Sequence, residues 1–162
     1  MDQKSEKLEI ATFAAGCFWG VEDKFMQTNG VKNTEVGYTG GHLKSATYKD
    51  VCSGTTGHAE TVNVYFDPKL ISYGELLNIF WLLHDPTQFN RQGPDYGSQY
   101  RSAIFYHDEN QKTLAEKSKS QLDQSNKYPK KIVTEITRAT EFYKAEEYHQ
   151  QYMKKTGLKV CH

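Results

Sequence analysis

Apolar residues alternate with polar ones in some stretches of this chain and recur every three or four positions in others, and the change of period marks out its elements. Leu8-Glu9-Ile10-Ala11-Thr12-Phe13 reads as a strand, Gly16 relieves the turn that follows, and Phe18, Val21, Phe25 and Met26 recur at helical spacing. Asn33 to Tyr38 reads as a second strand running into Gly40-Gly41, from which a glycine-rich loop extends to Gly57. Thr61 to Phe66 alternates with period two and stops at Asp67-Pro68. Ser72-Tyr73-Gly74-Glu75 has the spacing of a capping box, which predicts a buried helix from Leu76 to Leu83. A turn-rich stretch from Asp85 to Arg101 precedes a short strand from Ser102 to Tyr106 and a charged helix to about Gln124. Lys131 to Ile136 reads as a last strand. Phe142, Ala145, Tyr148, Tyr152 and Met153 are spaced to line one side of a helix or helical turn ending near Gly157, beyond which a polar tail carries Cys161.

This mixed order, without repeats or a linker, predicts one α+β domain over residues 1–162. The expected architecture is a two-layer sandwich, a mixed sheet covered by helices, with two long loops building a site on its rim. Residues 1–7 and 157–162 are expected to be flexible ends, the latter a mobile C-terminal tail.

At 162 residues the chain can bury a core without disulfide staples. Lysine plus arginine equals aspartate plus glutamate at 20 each, so there is no basic field for a phosphate backbone, and nucleic acid is not an expected partner. The polar N-terminus and the lack of any run of about 20 apolar residues predict a soluble, cytoplasmic protein with no membrane association. Neutral charge makes a monomer the default. Three cysteines, at 17, 52 and 161, form no CxxC pair, and none of the six histidines has zinc-site spacing, so neither metal nor cofactor is expected.

The chemistry concentrates in Gly16-Cys17-Phe18-Trp19-Gly20. A thiol is nucleophilic as thiolate, and a helix N-terminus favours that form through its unpaired N–H groups and positive dipole end. Cys17 falls at such a strand-to-helix corner, and the flanking glycines allow another molecule to approach it.

Four ordered segments resemble the peptide methionine sulfoxide reductase A family: the pentad itself, Gly37-Tyr38-Thr39-Gly40-Gly41, Gly57-His58-Ala59-Glu60, and Gly93-Pro94-Asp95-Tyr96-Gly97-Ser98-Gln99-Tyr100-Arg101-Ser102. Glu146-Glu147-Tyr148-His149-Gln150 is similar to the family's C-terminal stretch. Ser45-Ala46-Thr47-Tyr48 departs from its usual Asn-Pro-Thr-Tyr, and Pro94 stands where Asn is commoner.

The resemblance implies thiol-dependent reduction of methionine S-sulfoxide, free or protein-bound, in repair after oxidative stress. Cys17 would attack sulfur, and Glu60, its pKa raised by burial, would protonate the departing oxygen, with Tyr38 and Tyr100 as hydrogen-bond donors and Asp95 as support. Phe18 and Trp19 would wall the methyl group, and His149 would buttress the site. Cys17 would be left as a sulfenic acid, resolved by Cys161 or alternatively by Cys52 and recycled by thioredoxin or a similar dithiol. Cys161 is the first choice, because it lies four residues past Gly157 in a polar tail that can sweep about 13 Å at about 3.3 Å per residue, and Cys52 is the rival. A cysteine hydrolase and a peptide-binding module that captures oxidised methionine are the alternative readings. The first lacks a local Cys-His signature.

Overall fold

The computed structural model describes residues 7–157. Strand β1 (Glu9–Ala15) shows how period-two alternation sorts side chains: Ala11, Phe13 and Ala15 enter the main core, whereas Ala14 faces the other side with Ala59, Ala103 and Phe105. The remaining strands of the main sheet are β2 (Val31–Thr39), β3 (Ala59–Phe66), β6 (Ser102–Tyr106), β7 (Glu135–Arg138) and β8 (Tyr143–Lys144). Their order is β7-β6-β1-β3-β2-β8, with only β6 and β7 parallel, so the sheet is mixed. Phe13 pairs with Val62 and Ile104, and Val62 pairs in turn with Val36, which lays one apolar row across four strands.

Helices α1 (Phe18–Met26), α3 (Tyr73–Leu82) and α4 (Glu109–Gln124) cover this row, contributing Phe18, Val21, Phe25, Leu76, Leu77, Phe80 and Ala115 to the same core. This is the expected α+β arrangement. The capping box of α3 forms as the sequence predicts, with Glu75 N–H donating to the Ser72 hydroxyl at 3.1 Å and Ser72 N–H to the Glu75 carboxylate at 3.0 Å. The two long loops are partly ordered. The first contains a short helix α2 (Tyr48–Cys52), capped by Thr47 and Asp50; the second holds a two-stranded ribbon, β4 (Arg91–Gln92) with β5 (Asp95–Tyr96), and a 3-10 turn at Ser98–Tyr100.

Two elements differ from expectation. The last long strand begins at Glu135 rather than Lys131, because backbone groups just before it are committed elsewhere: Ile132 N–H donates to Asp123 at 3.1 Å and Val133 N–H to the Pro86 carbonyl at 2.8 Å. The C-terminal apolar spacing does not make one helix. Tyr143 and Lys144 pair with β2 as β8, Ala145 N–H bonds the Val36 carbonyl at 2.9 Å, and the Gln150 side chain both donates to and accepts from the Val36 backbone. Strand β2 would otherwise expose an unpaired edge there. A 3-10 turn (Glu147–His149) follows, then Gln151 in the left-handed region at φ 56, and helix α5 spans only Tyr152–Thr156.

Glu22 of α1 fixes this segment. Its carboxylate is 1% exposed and accepts from Gln151 N–H and from the Thr34 hydroxyl, each at 2.7 Å. Burial pushes its pKa up, and the two hydrogen bonds pull it back. Glu22→Ala strands both donors, so it should destabilise the fold by about 2–3 kcal/mol, read as a lower urea midpoint.

Candidate active site

Strand β1 ends at Ala15, Gly16 turns the chain at φ 95, a conformation that favours glycine, and Cys17 precedes the first residue of α1. The cysteine is thereby held at a helix N-terminus with 7% of its surface exposed. Helix N–H groups of the first turn have no partner within the helix. That of Phe18 donates to Glu60 Oε1 at 3.3 Å. Glu60 projects from β3 on the helix-covered face, directly opposite Tyr38 of β2 in the register.

Glu60 is 1% exposed, and its Oε2 has no hydrogen-bond partner among the described residues. Burial pushes its pKa up to about 8; the Phe18 N–H pulls down and the charge of Asp95 pushes up further. At neutral pH this carboxyl is a neutral acid held against the backbone of the residue that follows the cysteine, its second oxygen without a partner among the described residues.

Two tyrosines lie within its electrostatic field. Tyr100, on the 3-10 turn, is half-buried and has its pKa pushed up to about 12 by burial and by the charges of Glu60, Cys52 and Asp95. Tyr48, the first residue of α2, lies in the fields of Glu60 and Tyr100, and its hydroxyl hydrogen-bonds Cys52; burial is the main reason its pKa is raised. The loop carrying Tyr48 is closed at its base, where His42 N–H donates to the Thr56 carbonyl at 2.9 Å and Gly41 N–H to His58 Nδ1 at 3.0 Å. A Cβ at Gly41 would run into the Thr56 and His58 backbone, so only glycine allows this crossing.

An aromatic wall completes the site. Phe18 lies 5.8 Å from Tyr38 and 6.4 Å from Tyr48, and Trp19 stacks on Tyr152 of α5 at 4.0 Å and 13°. His149 is wholly buried among Phe18, Trp19, Tyr48 and Tyr148, and its Nδ1 accepts the Trp19 indole N–H at 2.9 Å.

Residues 9–162 match the model of the peptide methionine sulfoxide reductase family. The chain belongs to this family. It is therefore an enzyme that reduces methionine sulfoxide. The peptide methionine sulfoxide reductase MsrA of Methanothermobacter thermautotrophicus is 55% identical over 156 residues, which is 96% of this chain and 92% of that protein. Mxr1 of Saccharomyces cerevisiae in its reduced form superposes with a TM-score of 0.90 at 36% identity, covering 99% of this chain and 91% of that one. Mxr1 in complex with Trx2 gives 0.63 at 27% identity, over 93% and 87% of the two chains.

Against this family background, the structure gathers Cys17, Glu60, Tyr100, Phe18, Trp19 and His149 around one corner, with Asp95 acting on Glu60 and Tyr100 through its charge. Tyr38 sits differently from the sequence expectation. It is wholly buried, and its hydroxyl donates to Glu146 Oε1 at 2.9 Å rather than pointing toward an incoming oxygen. Two residues escaped the sequence reading. Tyr48 was visible only as the last residue of the departing Ser-Ala-Thr-Tyr block, and nothing local distinguishes Glu146 from the acidic residue after it. Cys52 is exposed as a residue, but partial desolvation of its thiol raises the pKa, with the Tyr48 hydrogen bond opposing that. Cys161 lies outside the described residues. Among the described residues, no three His, Cys, Asp or Glu side chains are grouped to hold a metal, and no helix is long and apolar enough to cross a membrane.

Trp19→Ala should raise KM for a sulfoxide substrate about tenfold by removing apolar contact with the methyl group. Alkylation of reduced Cys17 by iodoacetamide should be unchanged; equal loss of both would mean the corner had collapsed.

Proposed function

We propose that this chain reduces the S epimer of methionine sulfoxide, free or in proteins, by nucleophilic attack of the Cys17 thiolate on sulfur. The observation that carries this reading is the neutral, buried Glu60 hydrogen-bonded to the first N–H of the cysteine's own helix. A sulfoxide oxygen leaves sulfur only when protonated, and Glu60 is the acid poised to supply that proton. Tyr100 stabilises the oxygen as the S–O bond weakens, joined by Tyr48 once its hydroxyl turns from Cys52 to the substrate, while Tyr38 acts as an anchor for Glu146. Phe18 and Trp19 receive the methyl group. Asp95 contributes by its charge, which favours the protonated form of Glu60.

Attack forms a bond between the Cys17 sulfur and the substrate sulfur as the protonated oxygen leaves as water; water then adds to the Cys17 sulfur and breaks that S–S bond, giving methionine, a Cys17 sulfenic acid and a released proton. The Cys161 thiol then displaces water from the sulfenic acid to form a disulfide, which a dithiol reductant opens by exchange. A thioredoxin is the proposed reductant, supported by the solved complex of Mxr1 with Trx2.

The test uses separated R and S methionine sulfoxide epimers with dithiothreitol, followed by mass spectrometry after one turnover without reductant. Turnover of the S epimer and a Cys17–Cys161 bridge are expected. Turnover of both epimers would remove the stereochemical part of the reading, and a Cys17–Cys52 bridge would transfer the resolving role to the thiol beside Tyr48.

A further inference from the structure

Glu146 connects the two walls that a sulfoxide would lie between. Its Oε1 accepts from the Tyr38 hydroxyl at 2.9 Å, and its Oε2 accepts from the backbone N–H of Tyr48 at 3.0 Å. These partners are about a hundred residues away in sequence, so the carboxylate ties the C-terminal segment to β2 and to the first residue of α2. Partial burial pushes its pKa up, but the hydrogen bonds from Tyr48 N–H and the Tyr38 hydroxyl outweigh this and hold it below the usual carboxylate range, so Glu146 is charged.

The third contact reaches Trp19. An indole N–H can only donate, so His149 Nδ1, which receives it, must be the unprotonated nitrogen. The imidazole proton is therefore on Nε2. That atom is wholly buried, has no hydrogen-bond partner among the described residues, and lies 4.0 Å from Glu146 Oε1. The other groups against the ring are Phe18, Trp19, Tyr48 and Tyr148, none of them charged at neutral pH. The negative charge of Glu146 is what favours a proton on that face of the ring, and so keeps the opposite nitrogen free to accept the indole.

We propose that Glu146 is a positioning residue for substrate: through His149 it orients the Trp19 indole, and through the Tyr48 backbone it places the Tyr48 hydroxyl, fixing the angle between the methyl wall and the oxygen donor. Sulfoxide sulfur is pyramidal, so methyl and oxygen must be received at one fixed angle. The inference rests on the reductase reading of this corner.

Glu146→Gln is nearly isosteric and removes the charge and one acceptor. It should raise KM for S-sulfoxide about tenfold with a smaller change in kcat, the loss of one charge-assisted hydrogen bond. A second readout reports on His149 directly. In a Trp81→Phe background Trp19 is the remaining tryptophan, and its emission should titrate with His149, whose pKa burial lowers and Glu146 raises. Glu146→Gln removes the raising charge, so the emission midpoint should move to lower pH. KM and midpoint both unchanged would overturn the proposal, and a raised KM with an unmoved midpoint would do the same for the route through His149. Glu146→Ala should give larger shifts in the same directions; if it does not fold, the glutamine variant still decides. If the wild type turns over no sulfoxide, it is the reductase reading that fails, and the midpoint shift still decides whether Glu146 controls the Trp19 contact.

Discussion

Glu60→Gln should give a protein that folds, is more stable than the wild type at pH 8, and reduces methionine S-sulfoxide about a hundredfold more slowly or worse. Glutamine keeps the shape and can still accept the Phe18 N–H, but it has no proton to give the departing oxygen. The wild-type rate should fall about tenfold per unit above pH 8, as Glu60, whose pKa is about 8, loses its proton; the residual rate of the variant should lack that limb.

Stability changes the other way. Glu60 ordinarily titrates at 4.5 and does so at about 8 when folded, so the folded state holds the proton more tightly than the unfolded chain. Its neutral form is no burden below pH 4.5. As pH rises from there, the unfolded chain releases the proton first and stability drains away, by about 3 kcal/mol at pH 7, until the folded carboxyl also ionises above pH 8. Urea midpoints at pH 5 and pH 8 check this: the wild type should lose stability between them and Glu60→Gln should lose little. Equal pH slopes in the two proteins would mean that Glu60 is already ionised in the fold and cannot be the acid.

Cys17→Ser should abolish turnover altogether while leaving sulfoxide binding within about threefold of the wild type. A serine hydroxyl is not ionised near neutrality, even at a helix N-terminus, and no sulfenic acid can form on it. The aromatic wall is formed by Phe18, Trp19 and Tyr152, which the substitution does not touch, so binding should persist. Calorimetry with S-sulfoxide, beside a turnover assay detecting methionine, separates the two effects. Residual catalysis at even a tenth of the wild-type rate would displace Cys17 from the centre of the mechanism.

The two predictions differ in how far the chain alone supports them. Cys17 at a strand-to-helix corner was legible because its signals are local: a period-two run, a glycine able to turn at positive φ, and apolar spacing of 3.6 all lie within about twenty residues. The α3 capping box, the strands of the central sheet and the charged α4 are of the same kind, each set by neighbours in sequence. Glu60 was legible only as part of a motif, since its neutral state depends on α1 lying over β3.

Tyr38 and Tyr48 show where local reading ends. Both are tyrosines beside glycine-rich sequence, and their hydroxyls go to different places because Glu146, about a hundred residues away, holds one of them and the backbone of the other. The C-terminal segment had the apolar spacing of a helix, yet the open edge of β2 drew it into β8 and a 3-10 turn, since unpaired backbone groups at a sheet edge outweigh a weak helical preference. Most of the elements, the Cys17 corner and the family could be read along the chain; which acid is neutral, which tyrosines lie in its field and what meets the indole follow from the fold, because burial, charge and hydrogen-bond geometry arise only when distant segments meet.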